Sequence, residues 1–197
     1  MIKLKIAAVV MASGLSKRMQ KDKLMLKYKN KFIFENAVDL IAECDFCDSI
    51  VITNNLYIKD YCSKKNIKTL DNPKNENGQS ESIKLAVKYF QEMDAICFFV
   101  ADQPFLTSST VNKLIHSFKI GKIYQLKYID TVGNPVIFDK KFFEQLLSLN
   151  NDEKGSVVIR KNRKYVQYIE AEKKSEFFDI DTEKDYERIT NGQDLFD

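Results

Sequence analysis

Apolar runs rich in β-branched and aromatic residues alternate with amphipathic stretches along the chain. The run IAAVVM at 6–11 is apolar throughout and reads as a buried strand. Helical spacing follows at 32–44, then a short strand at 49–53, a helix at 57–66 and a strand at 68–71. The stretch 79–93 is helical, with Ile83, Val87 and Phe90 on one face. It leads into AICFFVAD at 95–102, a fully buried strand that ends in Asp102, and then into a helix at 109–118. Strand and helix alternating at this spacing predict right-handed crossovers and a mostly parallel sheet. Such sheets take ligands outside the carboxyl ends of their strands.

After residue 120 the pattern changes. The segments at 122–130 and 134–139 read as paired strands around Gly133, followed by a helix at 140–150, strands at 165–172 and 175–181, and a last helix at 182–191. No linker, repeat or low-complexity tract interrupts the chain. The expectation is one α/β domain over 1–197 whose second half extends the same sheet.

Charge and cysteine content remove several function classes. The formal charge is +3, from 31 Lys and Arg against 28 Asp and Glu, so no broad nucleic-acid footprint is expected. The aromatic residues fall in core-like runs rather than on a basic face. No apolar run reaches the roughly 20 residues needed to cross a bilayer. The N-terminal stretch is read as the first strand rather than a signal peptide, because lysines break its short apolar part and a basic loop follows at once. A cytoplasmic protein with no membrane partner is expected. Cys44 and Cys47 form one CxxC without the second ligand pair that structural zinc requires, so reduced thiols are expected. His116, the only histidine, sits on a helix without a Cys or Ser partner, which argues against histidine-based hydrolysis.

Four features carry candidate chemistry. The loop after the first strand, ASGLSKRMQKDK, has a glycine that lets backbone N–H groups approach a ligand. It adds the hydroxyls of Ser13 and Ser16 and the charges of Lys17, Arg18, Lys21 and Lys23. It is neither a Walker loop nor a dinucleotide fingerprint. Asp102, at a parallel strand's carboxyl end, is well placed to hold Mg²⁺, which takes one or two carboxylates plus water and phosphate oxygens. Gly78, Gln79 and Ser80 lie in a polar loop feeding a helix, where they would meet a base or ribose or simply cap the helix. Asp179 and Asp181 point to one side if their strand continues, and Thr182 with Asp185 has capping-box spacing. Together these suggest a nucleoside triphosphate site with a carboxylate-bound metal.

The same residues resemble the MobA-like nucleotidyltransferase family over nearly the whole chain. MASGLSKRMQKDK is similar to its LAAGxSxRMGxxK signature, NPKNENGQSESIKLAV to its second nucleotide loop, and ADQPFLT to its metal-binding strand end. GNPVIFDKKFF and DIDTEKDYERI resemble the GHPVLF and DIDTPEDL segments of its molybdenum cofactor cytidylyltransferase branch. The resemblance implies a Rossmann-like three-layer fold with a mostly parallel mixed sheet, 1–120 binding nucleotide and 121–197 the acceptor. It implies Mg²⁺-dependent transfer of CMP from CTP to the phosphate of molybdopterin, releasing pyrophosphate. Ala12, Ser13, Gly14, Ser16, Arg18 and Lys23 would meet the nucleotide, together with Gly78, Gln79 and Ser80. Arg18, Lys23 and Asp102 would be catalytic. Asp102 and Asp181 would hold the metal, Asp181 ahead of Asp179, and Gly133, Asn134 and Pro135 would line the pterin side. A transient contact with a molybdenum hydroxylase or its maturation factor is the implied partnership.

Several positions depart from the family pattern. Ser13 stands for the second Ala of LAAG, where the guanylyl branch has Gly. Gln20 replaces the Gly of RMG, Asn134 the His of GHPV, and Glu183 and Lys184 the Pro and Glu of the ending. GTP in place of CTP, a sugar or polyol phosphate acceptor, and a non-catalytic cofactor carrier are the competing readings.

Overall fold

The structure, a computed structural model, describes residues 4–14, 19 and 21–191. Strand β1 (Ile6–Met11) runs through the middle of a seven-stranded sheet, and Ala7 to Val10 are fully buried. A continuous apolar run is what a strand covered on both faces requires. A small hairpin, β2 (Lys27–Tyr28) and β3 (Lys31–Phe32), leads into α1 (Ile33–Glu43). Then come β4 (Asp48–Ile52), α2 (Leu56–Lys64), β5 (Lys68–Leu70), α3 (Gln79–Tyr89), β6 (Ala95–Val100) and α4 (Ser108–Ser117). Strands β7 (Ile123–Tyr128) and β8 (Thr131–Asp139), helices α5 (Phe143–Leu147) and α6 (Ser156–Lys161), strand β9 (Val166–Glu170) and helix α7 (Glu183–Thr190) follow.

The sheet order is β5-β4-β1-β6-β8-β7-β9, and β8 alone runs against the others. After β1 the chain builds outward through β4 and β5, then returns to lay β6 on the other side of β1. The crevice between the β1 and β6 loops is therefore the switch point at which such sheets bind ligands. One face packs against α1, α2, α4 and α7 through residues such as Phe34, Ile41, Ile58, Leu114 and Ile189. The other packs against α3, α5 and α6 through Ile83, Val87, Leu146 and Val158. The result is a three-layer sandwich. Among the described residues no helix is long and apolar enough to cross a membrane.

Four sequence expectations change. Gly133 lies within β8, and the β7–β8 turn falls at Ile129 and Asp130, with Ile129 left-handed at φ 53°. Gly133 serves packing instead, since a Cβ there would stand 2.7 Å from the Phe177 ring. The expected strand at 175–181 is a 3₁₀ turn at Lys174–Phe177 followed by irregular chain. The cause is Glu176, whose buried carboxylate gathers donors from two segments and holds a turn there. The expected helix at 140–150 is a 3₁₀ turn, Lys140–Phe142, continuing into the short α5. Helix α6 falls in a stretch where no element was expected, and its Val-Val-Ile run would favour a strand by propensity. Tertiary packing decides otherwise: Val158 is buried and the chain at Gly155 lies against the Phe138 ring.

Candidate active site

Lys23 opens a 3₁₀ turn, Lys23–Met25, that Asp22 caps by accepting from the Leu24 N–H at 3.1 Å. The other oxygen of Asp22 accepts from Asn55 at 3.0 Å, which ties this turn to the end of β4. So held, the Lys23 ammonium donates to Asp102 Oδ2 and, at 2.9 Å, to Asp181 Oδ1. Asp102 follows β6, and its carbonyl accepts from the Ile180 N–H at 3.1 Å. Ile180 is fully buried, so its neighbours Asp179 and Asp181 turn the opposite way and line the same cavity as Asp102. The two carboxylates share a side as expected, although no strand carries them.

Burial alone would lower the Lys23 pKa, but the charges and hydrogen bonds of Asp102 and Asp181 win and raise it. Lys23 is therefore a fixed cation at neutral pH. Asp179 opens to solvent at the cavity mouth, yet protein crowds it closely enough for desolvation to raise its pKa to about 6. Repulsion from Asp102 and Asp181 adds to this, while Gln103 and Lys23 pull part of the way back.

A divalent cation fits this corner by donor chemistry. Asp102 Oδ1 is buried without a hydrogen-bond partner, and Asp181 lies across the same Lys23 ammonium. Among the described residues no three His, Cys, Asp or Glu form a ready-made cage. Mg²⁺ does not require one, because water and phosphate oxygens complete its shell.

The cavity has a volume of about 590 Å³ and runs across the sheet from the β1 loop to β7. At one end Ser13 and Ser82 face each other with hydroxyls 3.0 Å apart. The Asn72 amide, fully buried, donates to both, at 3.2 and 3.1 Å. Asn54 grips the Asn72 backbone through two hydrogen bonds of 2.8 Å, and Asn75 donates to the Ser13 carbonyl at 3.3 Å. Gly14, Gly78 and Gln79 line this end as well. Gly78 is left-handed at φ 77° and would bring a Cβ to 2.7 Å from Asp152, so only glycine permits that closure. Gly14, by contrast, has nothing within 4 Å of its missing Cβ, which leaves room for a ligand.

The remaining candidates divide. Ala12 is buried, and Gly133 and Asn134 line the far end of the cavity. Pro135, joined to Asn134 by a cis bond, is not part of the wall. Ser80 is a correction: it is fully buried and donates to the Asn77 carbonyl, so its hydroxyl does not reach the cavity, and Ser82 stands there instead. Lys21 pairs at 3.5 Å with Glu183 on the surface rather than facing the cavity. Ser16, Lys17 and Arg18 lie outside the described residues. His116 is an exposed partner of Asp45, and Cys44, Cys47, Cys62 and Cys97 are free thiols.

The MobA-like NTP transferase domain matches residues 8–167. The chain belongs to that family. It is 27% identical over 187 residues to the molybdenum cofactor cytidylyltransferase of Escherichia coli (strain K12), covering 92% of this chain and 93% of that protein. A nucleotidyl transferase from Methanothermobacter thermautotroptrophicus superposes with TM-score 0.83 at 20% identity, covering 95% and 97% of the two chains. Rv0371c from Mycobacterium tuberculosis superposes with TM-score 0.80 at 22% identity over 97% and 100%, and that protein has also been solved in complex with manganese. The three-layer mixed sheet is thus a nucleotidyltransferase fold, and the protein is a transferase of that family.

Sequence reasoning about this nucleotidyltransferase missed Asn72, Ser82 and also Gln125, which lines the cavity from β7. Asn72 had a usable signal, since it follows a parallel strand at its carboxyl end. Ser82 had none, because the phase that turns it rather than Ser80 to the cavity depends on how α3 docks.

Proposed function

We propose that the protein transfers CMP from CTP to the phosphate of a molybdopterin-type acceptor. An acceptor phosphate oxygen attacks the α-phosphorus, the bond from that phosphorus to the β-phosphate bridging oxygen breaks, and pyrophosphate leaves. The observation that carries this reading is the Lys23–Asp102–Asp181 cluster at the switch point, with one cavity extending from it in both directions. Phosphoryl chemistry asks the protein mainly for positioning and charge stabilisation. Lys23 supplies a cation beside the α-phosphate, and Arg18 would add a second by family resemblance. Asp102 and Asp181 would hold Mg²⁺, which when bound supplies charge neutralisation at the phosphates.

Residues 1–120 then serve the nucleotide and 121–197 the acceptor. Ser13, Ser82 and Asn72 hold the base end polar and rigid, while Gly133 and Asn134 lie towards the acceptor. The likeness to the E. coli enzyme supports cytosine and molybdopterin over other choices. The test is turnover with molybdenum cofactor, Mg²⁺ and either CTP or GTP, with the dinucleotide detected by mass. A cytosine product that disappears in Asp102→Ala is the expected result. A guanine product would keep the chemistry and change the base. No product with either nucleotide would overturn the acceptor and redirect the search to phosphorylated sugars and polyols.

A further inference from the structure

On the sheet face that carries α3, α5 and α6 the buried strand side chains among the described residues are apolar, with one exception. Ile123 points into that core, and by the two-residue period so does Gln125. Among the described residues it is the only buried polar side chain that a strand places on this face. It is nine-tenths buried, at 9% exposure. Among the described residues no group hydrogen-bonds its carboxamide, which opens onto the cavity. A carboxamide held on an apolar wall and opening onto a cavity is placed to bond whatever occupies it, water or ligand. Its neighbours are in register: Phe98 on β6 pairs with Val136 on β8, and Val136 pairs with Gln125 on β7. Phe138 packs edge-on against Phe98, with centroids 6.0 Å apart, and Ile83 covers the same end.

We propose that Gln125 is the acceptor-specificity residue, and that its carboxamide reads the lactam edge of a flat fused heterocycle held against Phe98, Val136 and Phe138. This rests on the pterin-type acceptor proposed above and says which edge of it is recognised. A carboxamide presents one acceptor beside one donor. Its oxygen accepts from a ring N–H and its NH₂ donates to the adjacent ring carbonyl, so both groups of each partner are satisfied. The apolar surround suits ring faces. A hydroxyl set against Phe98, Val136 and Phe138 would find no partner on that wall.

The test uses the ring alone, so that binding is read apart from turnover. Pterin and 3-methylpterin, which lacks the ring N–H, are titrated onto the full chain with CTP and Mg²⁺ and followed by pterin fluorescence. Wild type is expected to prefer pterin by about tenfold, the worth of one paired hydrogen bond in a buried site. Gln125→Leu is expected to bind both equally and weakly while keeping the KM for CTP, and Gln125→Met provides a second variant of similar volume. Persistence of the preference in both variants would overturn the proposal, as would wild type that binds neither ring. The two readings separate cleanly. A wild type that binds pterin through Gln125 yet makes no dinucleotide removes the proposed reaction and keeps this inference. Dinucleotide made by Gln125→Leu with an unchanged acceptor KM removes this inference and keeps the reaction.

Discussion

The Lys23 ammonium lies against the carboxylate of Asp102, although 79 residues separate them in the chain. Both side chains are largely buried, at 16% and 17% exposure, so the pair is not a screened surface contact. Removing the cation takes from the buried Asp102 carboxylate its ammonium partner, with Asp181 close by. Lys23→Met is expected to destabilise the fold by about 3 kcal/mol, the usual cost of breaking a buried pair. Turnover should fall by about 10²–10³-fold, as when one preorganised charge-stabilising group is lost. Denaturant melts and steady-state rates on the same preparation check both, and unchanged turnover would exclude Lys23 from the chemistry.

The same pair predicts how the protein responds to chelation. Lys23 bonds both Asp102 and Asp181 and offsets part of their charge, so folding is expected not to depend on a metal. EDTA is expected to abolish turnover, leave the thermal midpoint of the nucleotide-free protein unchanged, and be reversed by added Mg²⁺. A large drop in midpoint would instead indicate a structural metal.

Asn72 is a different kind of residue, holding two hydroxyls from a fully buried position. Asn72→Ala should cost about 2 kcal/mol by leaving buried polar groups unpaired. It should raise the KM for CTP and leave the acceptor KM alone. A rise in both would show that the network supports the whole cavity rather than its nucleotide end.

Glu176 accepts from the Thr107 N–H and hydroxyl, the Thr110 hydroxyl, and the N–H groups of Glu172 and Lys173. It pins the start of α4 to the segment leading to Asp179 and Asp181. Glu176→Ala is expected to lose about 3 kcal/mol of stability, since several buried donors are orphaned together. The residual folded enzyme should need more Mg²⁺ for half-maximal rate. Equal Mg²⁺ dependence would show that the clamp and the carboxylates are independent.

Asp179 predicts a pH dependence. Its folded pKa, about 6, lies above the ordinary value of 3.8, so the folded state holds the proton more tightly than the unfolded chain. The associated stability is full below 3.8 and is lost as pH rises through about 6. Asp179→Asn removes that loss. Its thermal midpoint should therefore gain on wild type between pH 4 and pH 7, with most of the gain below about 6. A constant difference across that range would rule out titration at this residue.

Much of this fold was legible from local pattern. The runs at 6–11 and 95–102 are buried strands because nothing polar interrupts them, and Thr182 with Asp185 forms the expected capping box. Lys23 and Asp102 could be named because charge at strand ends is visible without tertiary information. The losses share a cause. Ser82 over Ser80, the turn at 174–177 in place of a strand, and the helix at 156–161 are all decided by packing partners distant in sequence. Gln125 was invisible because a lone glutamine in an apolar strand has no motif. Its meaning comes from the register that sets it beside Val136 and Phe98.

Strands β1, β6, β8 and β7 stand side by side in one hydrogen-bonded sheet. Neighbouring strands lie about 4.8 Å apart, so the loop after β1 and the row of Gln125 are separated by three spacings, about 14 Å. No hinge lies between them, and that separation works as a ruler. The acceptor proposed above would have to span, from a ring at Gln125 to a phosphate beside Lys23 and Asp102, a length set by backbone hydrogen bonds.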